Sequence, residues 1–494
     1  MKHIRCSTPI FRSIPVIATA MIVVCVSGCV TTGSSVRIPS KVPQTQGGVP
    51  VRYAAIPSRA YAHYAMGLIL DNENDPEAAI EEYRQALKYD SESSMIYLRI
   101  GANLIQTDQP GEAEETLKHA LELDPGDERG RFLLAILYTS RSRFDMAEAE
   151  YRSILEAAPD NLLALSSLAD LYVVKGEFEK AVAIYQEILA HSEVESYKVC
   201  FNLGIIYIKL DQFPEALEYL EKTIRINPEY LPAHVACALL YEESGQLDKA
   251  IECFEAALQI DPLNFRLYNQ LGQLYYRAGL TSDAIRQYEF VIGLNPENIL
   301  SIVSLAYIYV ETGDYVNAKK YLYDAIKLEP ENAQLYFYLG SVFERNGESE
   351  QAKEMLLRAI ALNPRNAEAL NYLGYLYADA GENLEEAVNL IKQAIAIEPM
   401  NGAYIDSLGW AYYKLGMLEQ ARKELERAIE LLEDDPEVRY HLGEVYHALG
   451  NTEKAVCELE KSLELDPGQE KARALLKNLS DFAAREVAIT EEKP

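Results

Sequence analysis

The sequence predicts an all-α fold, one long solenoid of about twelve helical hairpins closed by a C-terminal capping helix. Three observations carry this. A period of 34 residues brings the same residue types back to the same slots: Leu271, Gly272, Tyr275, Ala284, Tyr288 and Pro296, then Leu305, Ala306, Tyr309, Ala318, Leu322 and Pro330, then Leu339, Gly340, Phe343, Ala352, Leu356 and Pro364. Within a repeat, Leu271 and Tyr275 stand four apart, as do Ala284 and Tyr288, so each pair lies on one helical face. Between those helices stands Ala278-Gly279, and a proline closes the repeat, both being residues at which helices end.

Taken in order, residues 1–28 form a targeting segment. Lys2, Arg5 and Arg12 precede an apolar run from Ile14 to Val26 that ends in Val26-Ser27-Gly28-Cys29. The run is too short for the roughly 20 residues that span a bilayer. It resembles a bacterial lipoprotein signal with its lipobox. The resemblance implies cleavage before Cys29, acylation of that cysteine with palmitate-type chains and, with Val30 rather than aspartate beside it, an outer-membrane lipoprotein facing the periplasm of a Gram-negative bacterium. From Cys29 to residue 58 the composition turns to Thr, Ser, Gly and Pro, a flexible tether.

Residues 59–468 hold the hairpins. Gly67, Gly101, Gly204, Gly272, Gly340, Gly374, Gly409 and Gly443 share one mid-helix slot, although glycine there costs about 1 kcal/mol against alanine. Close approach of the second helix accounts for them. The fourth repeat gains a residue and carries Glu193 in the proline slot, so the junction from His191 to Glu195 is the expected irregularity; the tenth gains one at Gly381-Glu382-Asn383. Residues 469–487 read as the capping helix, with Leu475, Leu476, Leu479 and Phe482 on one face, and 488–494 as a disordered tail.

The period and its slots resemble the tetratricopeptide repeat (TPR). That resemblance implies a right-handed superhelix in which the first helix of each hairpin lines a concave groove with its slots 2, 5, 9 and 12. Those slots include Phe201, Ile205, Asn269, Tyr276, Tyr307, Phe337, Asn371, Tyr375, Asp406, Trp410, Tyr413 and Tyr440, an apolar and aromatic surface expected to take an extended segment or helix of a partner protein. Trp410 with Asp406, Tyr413 and Tyr375 is the first choice among them. The carboxylate clamp of chaperone-binding repeats needs Lys and Asn in slots 5 and 9, and no repeat holds that pair. The asparagine ladder of the sugar-transferring repeat protein is represented by Asn202 alone. The text from Leu373 to Asp379, Asp406 to Trp410 and Arg439 to Gly443 resembles the C-terminal repeats of bacterial outer-membrane repeat lipoproteins, a group that includes the adaptor of a periplasmic C-terminal-processing protease.

Charge and chemistry narrow the function further. Formal net charge is −30, residues 1–28 contribute +3, and the chain from Cys29 onward therefore carries −33. Such a field disfavours nucleic acids and anionic lipid surfaces and draws basic partners. There is no HExxH, no GxSxG and no phosphate-cradling loop; His441 and His447, six apart, do not share a ligand face. Cys200, Cys237, Cys253 and Cys457 form no CxxC, and Cys237 fills a core slot as a buried thiol, with a disulfide left open. Most of the 34 tyrosines, Tyr138, Tyr172, Tyr207, Tyr241, Tyr275, Tyr309 and Tyr377 among them, take core slots. The expectation is a non-enzymatic periplasmic scaffold or adaptor without cofactor or metal. Its alternatives are an adaptor delivering substrates to a periplasmic protease and an assembly factor for a pilus, secretion or polysaccharide-export machine.

Overall fold

The computed structural model describes residues 58–191 and 196–479. The targeting segment, Cys29, the tether to residue 57, the junction at 192–195, residues 480–487 of the expected cap and the tail at 488–494 lie outside the described residues. Among the described residues, twenty-four helices, from Ser58–Asn72 to Thr452–Leu465, pair as twelve hairpins, and another helical stretch runs from residue 470 to 479. No strand occurs among the described residues. In each hairpin the first helix, here helix A, packs along the second, helix B, and within each of two units helix B packs on the next helix A. Two compact units result: the first six hairpins up to Pro262, and the last six with the closing helical stretch from Leu263 onward.

The start of a repeat is written in three residues. Proline ends helix B, and an asparagine two positions later caps the next helix A: the side chains of Asn161, Asn298, Asn332, Asn366 and Asn401 accept from backbone N–H groups of the first turn. Pro159, Pro296, Pro330, Pro364 and Pro399 stand two residues before them.

The mid-helix glycines are contacts, as the slot implies. A Cβ on Gly272 would stand 2.8 Å from the Tyr288 ring, and one on Gly67 2.5 Å from that of Tyr83. On Gly374 it would meet Ile391 at 2.6 Å and the carbonyl oxygen of Ala387 at 2.9 Å. The inserted residue of the tenth hairpin is absorbed in its turn, where Gly381 and Asn383 both take left-handed backbone, φ 71° and 45°. Ala367–Ala380 and Leu384–Ile397 remain intact on either side. After the last hairpin, Ala472 and Leu479 join the C-terminal core with Leu475 and Leu476 against it.

The core tyrosines also bridge repeats. Tyr138, Tyr172, Tyr241, Tyr309 and Tyr446 each donate from the hydroxyl to a glutamate of the preceding helix B, respectively Glu114, Glu148, Glu221, Glu289 and Glu426. A lysine or arginine of the following helix B lies over several of these rings, as Lys180 does at 5.1 Å over Tyr172 and Lys454 at 5.1 Å over Tyr446. Burial works against the Glu148 carboxylate, yet hydrogen bonds from Tyr172, Lys175 and Arg152 outweigh it and hold its pKa down to about 2. A carboxyl held below its ordinary 4.5 stabilises the fold above that value and ceases to do so as pH falls towards 2. Glu148→Gln is therefore expected to cost about 1 kcal/mol at pH 7, and thermal melts at pH 3 should show the gap to the parent chain narrowing. An equal gap at both pH values would refute the network.

No disulfide joins the four cysteines among the described residues, and Cys200 and Cys237 are buried and Cys457 exposed. Burial pushes the Cys253 thiol up to about 11 and that of Cys237 higher still. At pH 7.5 a thiol reagent is expected to label Cys457 within minutes and Cys200 and Cys237 only after denaturation. Mass mapping of the labelled peptides checks this, and rapid labelling of Cys237 in the native chain would contradict it.

Candidate functional site

The twelve groove candidates do not form an open surface. Phe201, Ile205, Phe337, Asn371, Asp406, Trp410 and Tyr440 are buried, Phe337 to 1% exposure and Trp410 to 4%. Asn269, Tyr276, Tyr307, Tyr375 and Tyr413 are half-buried. The expectation of exposed apolar side chains is thus corrected at seven positions, because successive helices A pack closely enough to seal slots 5 and 9 against one another. Phe201 stands edge-on to Tyr230 at 5.1 Å, and Phe337 to Tyr372 at 6.1 Å. Tyr276 meets Tyr307 at 6.0 Å, and Asn269 accepts from Ser301 Oγ at 2.6 Å. Phe201 and Ile205 belong to the first unit and the other ten to the second.

One group of candidates does come together. Helices A of the last three hairpins, Ala367–Ala380, Gly402–Lys414 and Pro436–Ala448, lie side by side. Their slots 5 hold Asn371, Asp406 and Tyr440, and their slots 9 hold Tyr375, Trp410 and Glu444. The Trp410 ring stacks on His441 at 4.1 Å and 21° and on Tyr413 at 5.0 Å and 26°, with Tyr440 at 6.3 Å. Lys414 Nζ lies 4.8 Å from the Trp410 ring centroid.

Electrostatics inside the cluster are set by carboxylates. His441, 1% exposed, donates from Nδ1 to Asp406 Oδ1 at 2.9 Å, and its Nε2 stands 3.7 Å from Glu437 Oε1. Burial pulls the imidazole pKa down, but the charge and hydrogen bond of Asp406 and the charge of Glu437 prevail, so it is raised above the ordinary value despite Lys471. Burial and the charges of Glu437, Asp379, Asp406 and Glu344 push the Tyr375 hydroxyl far up. Glu444 accepts from Tyr440 at 2.7 Å on Oε1 and from Tyr413 at 3.2 Å on Oε2, and Tyr413 is pushed up to about 12 by burial and by that carboxylate. Two buried polar atoms here have no hydrogen-bond partner, Asn371 Oδ1 and Trp410 Nε1.

Sequence reasoning singled out Trp410, Asp406, Tyr413 and Tyr375 but passed over His441, Glu437 and Glu444. The slot arithmetic that selects Trp410 also selects Glu444, one repeat on. His441 shares no ligand face with His447 on its own helix, and its partner stands 35 residues back on the neighbouring one.

Residues 261–478 match the family model of the cilia and flagella-associated protein 70 C-terminal domain, 57–235 that of the tetratricopeptide repeat protein 21 C-terminal ARM domain, and 240–279 that of the TPR repeat. No curated protein matches the chain. Among solved structures, MamA is 30% identical over 34% of this chain and 91% of its own, with a TM-score of 0.30. A tetratricopeptide repeat protein from Parabacteroides merdae is 19% identical over 51% of this chain and 98% of its own, with a TM-score of 0.43. The APC/C hetero-tetramer Cut9–Hcn1 is 17% identical over 85% of this chain and 96% of the matched chain, with a TM-score of 0.43.

Proposed function

This chain belongs to the tetratricopeptide-repeat proteins, and from that premise we propose that it is a non-catalytic scaffold whose last three hairpins receive a protein partner. A repeat solenoid is suited to protein–protein interaction because its length gives surface rather than a thick core. The observation that carries the reading is the Trp410 cluster, a stack of rings whose indole Nε1 is buried without a hydrogen-bond partner, as is Asn371 Oδ1 on the first of the same three helices. Aromatic side chains of this kind anchor partners at interfaces.

The text from Lys2 to Cys29 supports a scaffold tethered by lipid at Cys29 to the outer membrane, on its periplasmic side. Delivery of substrates to a periplasmic protease is the second reading, favoured by the text from Asp406 to Trp410, within which the cluster falls. Assembly of a pilus, secretion or polysaccharide-export machine would use the same scaffold.

The test is a pull-down with the mature chain from detergent-solubilised envelope, beside a Trp410→Ala, Tyr413→Ala double variant, with bound proteins identified by mass spectrometry. A protease or envelope-machine component retained by the parent chain and lost from the variant is the expected result. An equal yield from both would remove the last hairpins from the reading. For the anchor, incorporation of labelled palmitate should disappear in Cys29→Ala.

A further inference from the structure

Glu444 stands apart among the tyrosine-bound glutamates in holding two hydroxyls; Glu289 and Glu344 hold one each, from Tyr309 and Tyr372, and like it have no paired cation among the described residues. Glu114, Glu148, Glu221 and Glu426 each hold a tyrosine hydroxyl, and each also has a lysine or arginine within 4.0 Å. Glu444 holds two hydroxyls, those of Tyr440 and Tyr413, and no cation among the described residues pairs with it. A half-buried carboxylate flanked by aromatic rings, with both oxygens fixed by phenols, is a preorganised acceptor for a positive charge. A second, independent observation points to a ligand along the same three helices A. Trp410 Nε1 and Asn371 Oδ1 are buried without partners, one a donor lacking an acceptor and the other an acceptor lacking a donor. The carbonyl and N–H of an extended polypeptide backbone supply both.

We infer that Glu444, framed by Tyr413, Tyr440 and Trp410, receives an arginine or lysine side chain from an extended segment of a protein partner, whose backbone reaches Trp410 Nε1 and Asn371 Oδ1. This rests on the scaffold reading above and gives its partner a chemistry. The chain's net charge of −30 acts in the same direction, steering basic segments towards it over a distance set by ionic strength. Neither orphaned atom is open to solvent, so the rings packed on Trp410 shift as the backbone enters while the Tyr413 hydroxyl stays on Glu444, and the environment of the indole changes on binding.

Trp410 is the single tryptophan of the chain, so its emission reports this site alone. The experiment titrates the full chain, in detergent and near-physiological salt, with an acetylated and amidated glycine-alanine peptide carrying three arginines. The control is the same peptide with citrulline, the neutral isostere. The expected result is a saturable change in Trp410 emission with the arginine peptide and none with citrulline. Glu444→Gln should weaken binding about tenfold, as loss of one partner of a desolvated charge pair does, while Glu464→Gln, an exposed carboxylate elsewhere, should change it less than about twofold. Tyr413→Phe keeps the ring and removes one hydrogen bond to Glu444, and should weaken binding about threefold. An equal response to citrulline, or equal weakening by Glu444→Gln and Glu464→Gln, overturns the inference. The envelope pull-down repeated with Glu444→Gln separates the two readings. Partners retained equally by parent and variant would sink the cation site and leave the scaffold standing, whereas no partner for either would sink the scaffold.

Discussion

Gly374→Val is expected to destabilise the C-terminal unit by about 3 kcal/mol, the upper range for forcing atoms into a packed core. The added Cβ alone would stand 2.6 Å from Ile391 and 2.9 Å from the backbone oxygen of Ala387. Ile391 can turn away in part. The carbonyl cannot, because it belongs to helix B of the same hairpin, so the two helices must separate. Against this, replacing a mid-helix glycine gains only about 1 kcal/mol of helix propensity, so the clash decides the sign. Gly293, in the last turn of the helix Thr281–Leu294, meets nothing within 4 Å, and Gly293→Ala should leave stability unchanged or raise it by about 0.5 kcal/mol. Urea unfolding followed by circular dichroism and by Trp410 emission checks both. A Gly374→Val chain with the parent midpoint would refute close packing as the reason for the glycine slot.

Asp406→Ala should cost about 3 kcal/mol at pH 6, because it leaves His441 buried with its main counter-charge removed. The penalty depends on pH in a definite direction. The pKa of His441 is raised in the folded chain, so its contribution is complete below the ordinary value of 6.5 and fades as pH rises through the folded value. The last two hairpins of the parent chain should therefore lose stability on going from pH 6 into the alkaline range. Asp406→Asn, which keeps the shape and removes the charge, should flatten that slope. Glu437 also faces the imidazole, and Lys471 opposes it, so a residual slope in Asp406→Asn belongs to them. Trp410 stacks on His441 and its emission follows the local transition directly. Parallel slopes in parent and variant would show that the pair does not titrate in this way.

The solenoid was legible in the sequence because each of its packing decisions is local. Gly272 and Tyr288 lie 16 residues apart in one hairpin, and a fixed spacing between a small residue and a large one suffices to specify their contact. Proline stops one helix, and asparagine two residues on starts the next; both act through backbone geometry within a few positions. The inserted residue at Gly381-Glu382-Asn383 did no damage because it fell where left-handed backbone turns the chain.

The inner face was only partly legible. Slots 5, 9 and 12 correctly mark which side chains point from one helix A towards its neighbours, and they led to Asp406, Trp410 and Tyr413. They say nothing about how near those neighbours come. Phe337 and Trp410 stand in slots that would be open on a widely spaced stack, and they are sealed because their neighbouring helices approach closely. The bridging tyrosine hydroxyls, the Asp406–His441 pair and the two orphaned atoms of Asn371 and Trp410 likewise depend on contacts between repeats. The hairpin, its repeat and its core follow from spacing within about 34 residues and can be read before any fold is known. Which inner side chains are buried, paired or left wanting a partner depends instead on the distance and rotation between one repeat and the next, to which many weak contacts contribute and which no single slot encodes.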